Sequence, residues 1–288
     1  MANYEIKGGV GIIPEGTTAI EKKAFRHCSD LTSITIPDTV TTIGNSAFRE
    51  CYELTSVHIG NGVTTIGNHA FEDCSSLTNI TIPDSVTTIG ENAFDGCYGL
   101  TSVYIGEGVT TIGECAFENC SDLTQIEVSE ANTVYSSIDG VLYNKAKDTI
   151  LHCPRGRQGR LSIPETVTTI GEDAFDCCKS LTSIVFSGKE KKVQRFAFSN
   201  CTSLTHIFIP TDQIKHYRAL WPTKLHNKLI PIACMELYDT KGVLNKIQVI
   251  KNKPQIFIEW LKVNKRVQAI FFFILFYTVL VLMALLLS

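Results

Sequence analysis

One motif returns seven times in this chain, and no other feature of the sequence restricts the fold so strongly. Ala-Phe pairs stand at Ala24-Phe25, Ala47-Phe48, Ala70-Phe71, Ala93-Phe94, Ala116-Phe117, Ala174-Phe175 and Ala197-Phe198. The step is 23 residues except between Phe117 and Phe175, where it is 58. A cysteine follows each Phe by three residues, at Cys28, Cys51, Cys74, Cys97, Cys120, Cys178 and Cys201. A period of this length predicts a solenoid, in which each copy packs on the next.

The register is finer than 23. Leu31 to Glu53 matches Leu77 to Gly99 at 16 of 23 positions but the adjacent Leu54 to Ser76 at only 13. One type of copy carries Ile-Pro-Asp, with Pro37 and Pro83; the other carries Gly60 with Gly62, or Gly106 with Gly108. The duplicated unit is therefore read as a pair of copies.

Within a copy, Leu31, Ile34 and Ile36 point inward and Thr32, Ser33 and Thr35 outward, the two-residue alternation of a half-buried strand. Pro37 or Gly60 then bends the chain, because neither sustains a strand interior. Val40 and Ile43 make a second inward segment and Gly44 opens a corner. The spacing of Ala47, Phe48 and Cys51 predicts the inner side of a short helix. A single copy buries too little apolar surface to offset the entropy of ordering 23 residues, so the array is the folding unit.

Written out, the unit L-T-x-[IV]-x-I-x-x-x-V-T-T-I-G-x-x-A-F-x-x-C-x-x resembles the BspA-like class of leucine-rich repeats from about Gly8 to Pro210. The ladder position that is Asn or Cys in ordinary leucine-rich repeats holds Thr39, Gly62, Ser85 or Gly108 here. The first copy has Gly8 and Gly11 where Leu and Ile belong, as expected of a cap. The resemblance implies a repeat solenoid, a β-rich array with short helical turns, that binds other proteins. Members of the family also include cell-surface proteins that bind host or matrix components.

The expected organisation is a cap and degenerate first copy over 1–30 and a solenoid over 31–210. Inside it, near 129–162, a longer copy lacks its Ala-Phe-Cys turn. There Val141-Leu142-Tyr143 and Thr149 to Cys153 flank a polar loop, which reads as a hairpin, followed by a basic loop with Arg155, Arg157 and Arg160. The SIDGVLY segment resembles an insertion common in BspA-like proteins. A C-terminal cap is expected over 211–235, with Ile214, Tyr217, Leu220 and Trp221 on one helix face. A basic connector and juxtamembrane helix (236–265) and a membrane anchor (266–288) complete the reading.

The anchor rests on Ala269 to Leu287, nineteen residues without a charge, about 28 Å as a helix and close to the hydrocarbon thickness of a bilayer. Trp260, Lys262, Lys265 and Arg266 precede it at headgroup level. Basic residues on that side predict a tail-anchored, single-pass protein with its repeats in the cytoplasm; the alternative is the cell surface. No apolar run of secretory length opens the chain. Charge is divided: residues 1–210 hold 15 Lys/Arg against 25 Asp/Glu, and 211–288 hold 11 against 4. From Thr41 to Val128 the one basic residue, Arg49, faces twelve acidic ones, which excludes a nucleic-acid partner for that stretch.

No chemistry of a catalytic kind is legible. The recurring cysteines share an inward face with Phe and read as small apolar fillers. Cys115 with Cys120, and Cys177 with Cys178, have no histidine at zinc-like spacing. Glu91, Glu114 and Glu172 recur at one variable corner and read as solvated surface. No cofactor, no metal and no enzymatic activity are therefore expected.

What remains is the outward strand position, held by Thr35, His58, Thr81, Tyr104, Glu127, Val185 and Phe208, beside Ser33, Ser56, Asn79, Ser102, Gln125, Ser183 and His206. These are expected to line one sheet face, with His58, Tyr104 and Phe208 as the foremost contacts for a protein partner. The predicted function is a membrane-tethered, non-catalytic interaction module; the alternative is a surface adhesin.

Overall fold

The computed structural model describes residues 4–220 and 223–231. They form a β-solenoid of about nine turns with little helix. Two compact units interleave along the chain: the first takes the described residues up to Gly159, then Thr166–Leu181 and Lys191–Ser203; the second takes Arg160–Glu165, Thr182–Glu190 and the described residues from Leu204 onward.

In the first unit each 23-residue copy is one rung, numbered here by its Phe, from Phe25 in the first to Phe117 in the fifth and Phe175 in the seventh. Two parallel strand rows run along it. Ser33–Ile36 pairs with Ser56–Ile59, and Asn79–Ile82 with Ser102–Ile105 and then Gln125–Val128. The second row stacks Ala19–Ile20, Thr42–Ile43, Thr65–Ile66, Thr88–Ile89 and Thr111–Ile112. Like residues meet like, Ile43 on Ile66 on Ile89, because register follows the repeat. The inward Leu, Ile, Val, Ala, Phe and Cys of successive rungs are buried in one continuous core.

The third wall differs from the expected helix. Around Ala47-Phe48 the chain makes successive turns, with Ser46 (φ 57°) and Glu50 (φ 63°) left-handed. The same two positions are left-handed at His69 and Asp73 and at Asn92 and Gly96. Alternate N–H groups then point along the stack: Ser46, Phe48 and Glu50 donate to the carbonyls of Asn68, Ala70 and Glu72. A helix would consume these donors internally. The left-handed residues are mostly Ser, His, Asn, Asp or Gly, side chains that tolerate this region.

The phenyl rings stack plane on plane, with centroids 5.0–5.6 Å apart from Phe25 to Phe117. Tyr4 closes the first end of that stack against Phe25 at 4.9 Å. Glu5–Lys7 turns back antiparallel on Val10–Ile12, which pairs parallel with Ser33–Ile36. Gly8 and Gly9 hold the positive-φ turn between them.

After the fifth rung the first unit carries three antiparallel strands, Tyr135–Ile138, Val141–Asn144 and Thr149–His152, one more than the sequence suggested. Thr149–His152 then pairs parallel with Thr169–Ile170, restoring the repeat. The second unit is built on the sheet of Gly159–Ile163, Leu181–Phe186, His206–Ile209 and Leu229–Pro231, of which Gly159 and Leu181 count with the first unit. A 3-10 turn, Thr211–Gln213, leads into the helix Ile214–Leu220, whose Ile214 and Tyr217 are buried. The predicted span Ala269 to Leu287, Trp221, and Trp260, Lys262, Lys265 and Arg266 lie outside the described residues. Among the described residues no helix is long and apolar enough to cross a membrane.

Candidate interaction surface

The strand row of the first unit presents one face outward. Thr35 lies beside His58, and Tyr104 lies between Thr81 and Glu127. Thr35, His58, Thr81 and Glu127 are exposed, and Tyr104 is 38% exposed. The alternation that buries Ile34, Ile36, Ile80 and Ile82 is what turns these side chains out. Two proposed contact residues do not share this setting. Val185 and Phe208, paired in the second unit, are buried at 6% and 0% exposure. The Phe208 ring stacks on His206 at 5.9 Å, and the Arg160 guanidinium sits 5.8 Å above it. An outward position in the repeat pattern is thus not an exposed one in the second unit.

The structure adds Tyr52 and Tyr98, 47% and 52% exposed, which directly follow buried cysteines in alternate rungs. Their spacing of two rungs is the one sequence signal that marks them.

Threonines beside both strand rows are engaged within the fold. Thr41, Thr64, Thr87 and Thr110 each donate a hydroxyl to the carbonyl of the equivalent residue one rung earlier, at 3.1–3.3 Å. Thr55 and Thr124 do the same beside the strand row. In the ladder position Thr39 donates to Thr17 and Ser85 to Val63.

The cysteines are more than fillers. Cys51, Cys74, Cys97 and Cys120 donate their thiols to the carbonyls of Phe25, Phe48, Phe71 and Phe94, at 2.9–3.2 Å. Burial pushes Cys51 and Cys120 up to about 12, and Cys74 and Cys97 well above the ordinary thiol value. Protonated, sealed thiols are neither nucleophiles nor metal ligands. Cys28, Cys51, Cys74, Cys97, Cys115, Cys120, Cys153, Cys177 and Cys178 form no disulfide. Among the described residues no group of three His, Cys, Asp or Glu side chains could hold a metal ion.

Arginines of the inserted loop serve different ends. Arg155, 7% exposed, binds Asn119, Glu118 and Asp176, joining the fifth rung to the seventh. Arg157 pairs with Asp139. Along the turn wall Arg49 bridges Glu50 and Glu72, each at 3.1 Å.

Residues 12–139 and 158–234 match the family model described as BspA type leucine-rich repeat region, in six copies. A leucine-rich repeat protein of known crystal structure from Eubacterium ventriosum is 29% identical, with a TM-score of 0.59 over 69% of this chain and 53% of its own. The chain thus spans about half the length of that relative. The pneumococcal vaccine antigen PcpA is 20% identical, with a TM-score of 0.51 over 72% of this chain and 68% of its own, a likeness of fold. No curated protein matches the chain.

Proposed function

The chain belongs to the BspA-type leucine-rich repeat family, and from that premise we propose that it is a non-catalytic protein-interaction module held at a membrane. The observation that carries the reading is the in-register outward face of the first unit. Thr35 with His58, and Thr81 with Tyr104 and Glu127, stand on buried aliphatic strands that fix their spacing. Such a rigid face loses little entropy on binding, and half-exposed aromatics supply area for contact.

Tethering rests on the uncharged run Ala269 to Leu287, with Trp260, Lys262, Lys265 and Arg266 on the side that favours the cytoplasm. Affinity capture with the full chain in mild detergent tests the face. The double variant His58→Ala, Tyr104→Ala should lose the captured partners, and Glu107→Ala should keep them; equal recovery by all three would remove this face from the proposal. Protease treatment of intact cells tests the placement. Survival of the repeats until lysis is expected, and their loss without lysis would favour a surface adhesin.

A further inference from the structure

The sixth rung has no Ala-Phe-Cys turn, and its absence leaves a gap in the third wall of the first unit. In the second to fourth rungs, three N–H groups per turn donate to the rung that follows. Asn92, Phe94 and Gly96, for example, donate to the carbonyls of Glu114, Ala116 and Glu118. The equivalent donors of the fifth rung are the N–H groups of Cys115, Phe117 and Asn119, and among the described residues they have no acceptor. Across the gap stand the carbonyls of Glu172, Ala174 and Asp176. Ala174 accepts from Cys153, but Glu172 and Asp176 accept from none of the described residues.

Between these walls lies a cavity of about 990 Å3. Glu114, Glu118, Glu172, Asp173 and Asp176 line it; Arg155 already pairs with Glu118 and Asp176, while Glu114, Glu172 and Asp173 have no basic partner among the described residues. Its floor includes Phe117 and His152, whose rings lie 6.5 Å apart, and the buried Nε2 of His152 has no partner. Burial, with Asp176 and Glu172 close by, raises the Asp173 carboxyl although Arg155 opposes them. At its rim Phe196 is 57% exposed and already carries the guanidinium of Arg195 at 5.0 Å.

Donors on every second residue, Cys115, Phe117 and Asn119, repeat the period of a strand edge, and unmet strand edges recruit extended chains. We propose that this gap binds a short basic peptide in extended form. Its carbonyls accept from Cys115, Phe117 and Asn119, and its Lys or Arg side chains meet Glu114, Glu172 and Asp173. The site is separate from the outward strand face and does not depend on it.

The test uses the full chain in detergent and a fluorescein-labelled nine-residue peptide alternating lysine and threonine. Comparators are a glutamate-threonine peptide and spermine, which carries positive charge but no carbonyls. The variant Glu114→Lys, Asp173→Lys copies Lys22 and Lys23, which occupy the same positions in the first rung, Lys23 with the same left-handed backbone as Asp173. Saturable binding of the lysine peptide is expected, at least tenfold weaker in the variant and at least tenfold weaker for spermine. Amide exchange at Cys115, Phe117 and Asn119 should slow at saturation. Absence of saturable binding, equal binding by the variant, by spermine or by the glutamate peptide, or unchanged exchange at those amides would overturn the proposal.

Discussion

At the scale of the residue, the repeat fixes polar contacts as firmly as apolar ones. Cys51, Cys74, Cys97 and Cys120 each fill a small core volume and give a thiol to a phenylalanine carbonyl of the preceding rung, which also accepts the N–H of that rung's own cysteine. His152 stands where that regularity fails, in the place of the missing ring stack. Burial holds its imidazole down at about 4, with Asp176 opposing. The unfolded chain, titrating near 6.5, takes up a proton that the native chain refuses between these values. Stability is therefore full above about pH 6.5 and falls as the pH drops toward 4, by about 2 kcal/mol at pH 5. Urea titrations at pH 7 and pH 5 should show this loss in the native chain and a smaller one in His152→Leu.

At the scale of the element, the two kinds of rung are complementary surfaces. Asp38 and Asp84 of the Pro-containing rungs accept the N–H of Asn61 and Glu107 of the next rung, at 2.7 and 2.9 Å. That approach brings the Asp carbonyls against Gly62 and Gly108, where a Cβ would lie 1.8 and 2.1 Å from them. Backbone is the obstacle, so Gly62→Ala should cost about 3 kcal/mol or more. Ser85→Ala, at the same point of the other rung type, loses one hydroxyl bond to Val63 and should cost about 1 kcal/mol. Urea midpoints of the two variants measure the difference. The sequence displayed the alternation of Pro-Asp with Gly-x-Gly; the carbonyl contact that requires it is visible only with rungs stacked.

At the scale of the molecule, a linear array shares its stability between neighbours. Phe71 has a stacked ring on each side, at 5.0 and 5.3 Å. Phe71→Ala should cost about 3–5 kcal/mol. It should also speed amide exchange on both sides, at Phe48 and Phe94, while leaving the helix Ile214–Leu220 of the second unit unchanged. Hydrogen exchange read by NMR or mass spectrometry checks this. Acceleration confined to Phe71 would mean that the rungs of the first unit are not coupled.

The sequence by itself determined the rung length, the inward residues, the pairing of rung types and the place where the pattern breaks. Those features follow from a period that each copy repeats through local alternation and bend residues. Only tertiary structure decided the turn wall, where N–H groups choose between their own turn and the next rung, a choice that depends on a neighbour being there. It decided that Tyr104 stays half exposed while Phe208, at the equivalent repeat position, is buried against the Arg160 guanidinium and the His206 ring, contacts that the repeat pattern does not carry. It also turned the break after Val128 from a missing motif into an opening with unmet donors, since only stacking shows which hydrogen bonds the absent turn would have made.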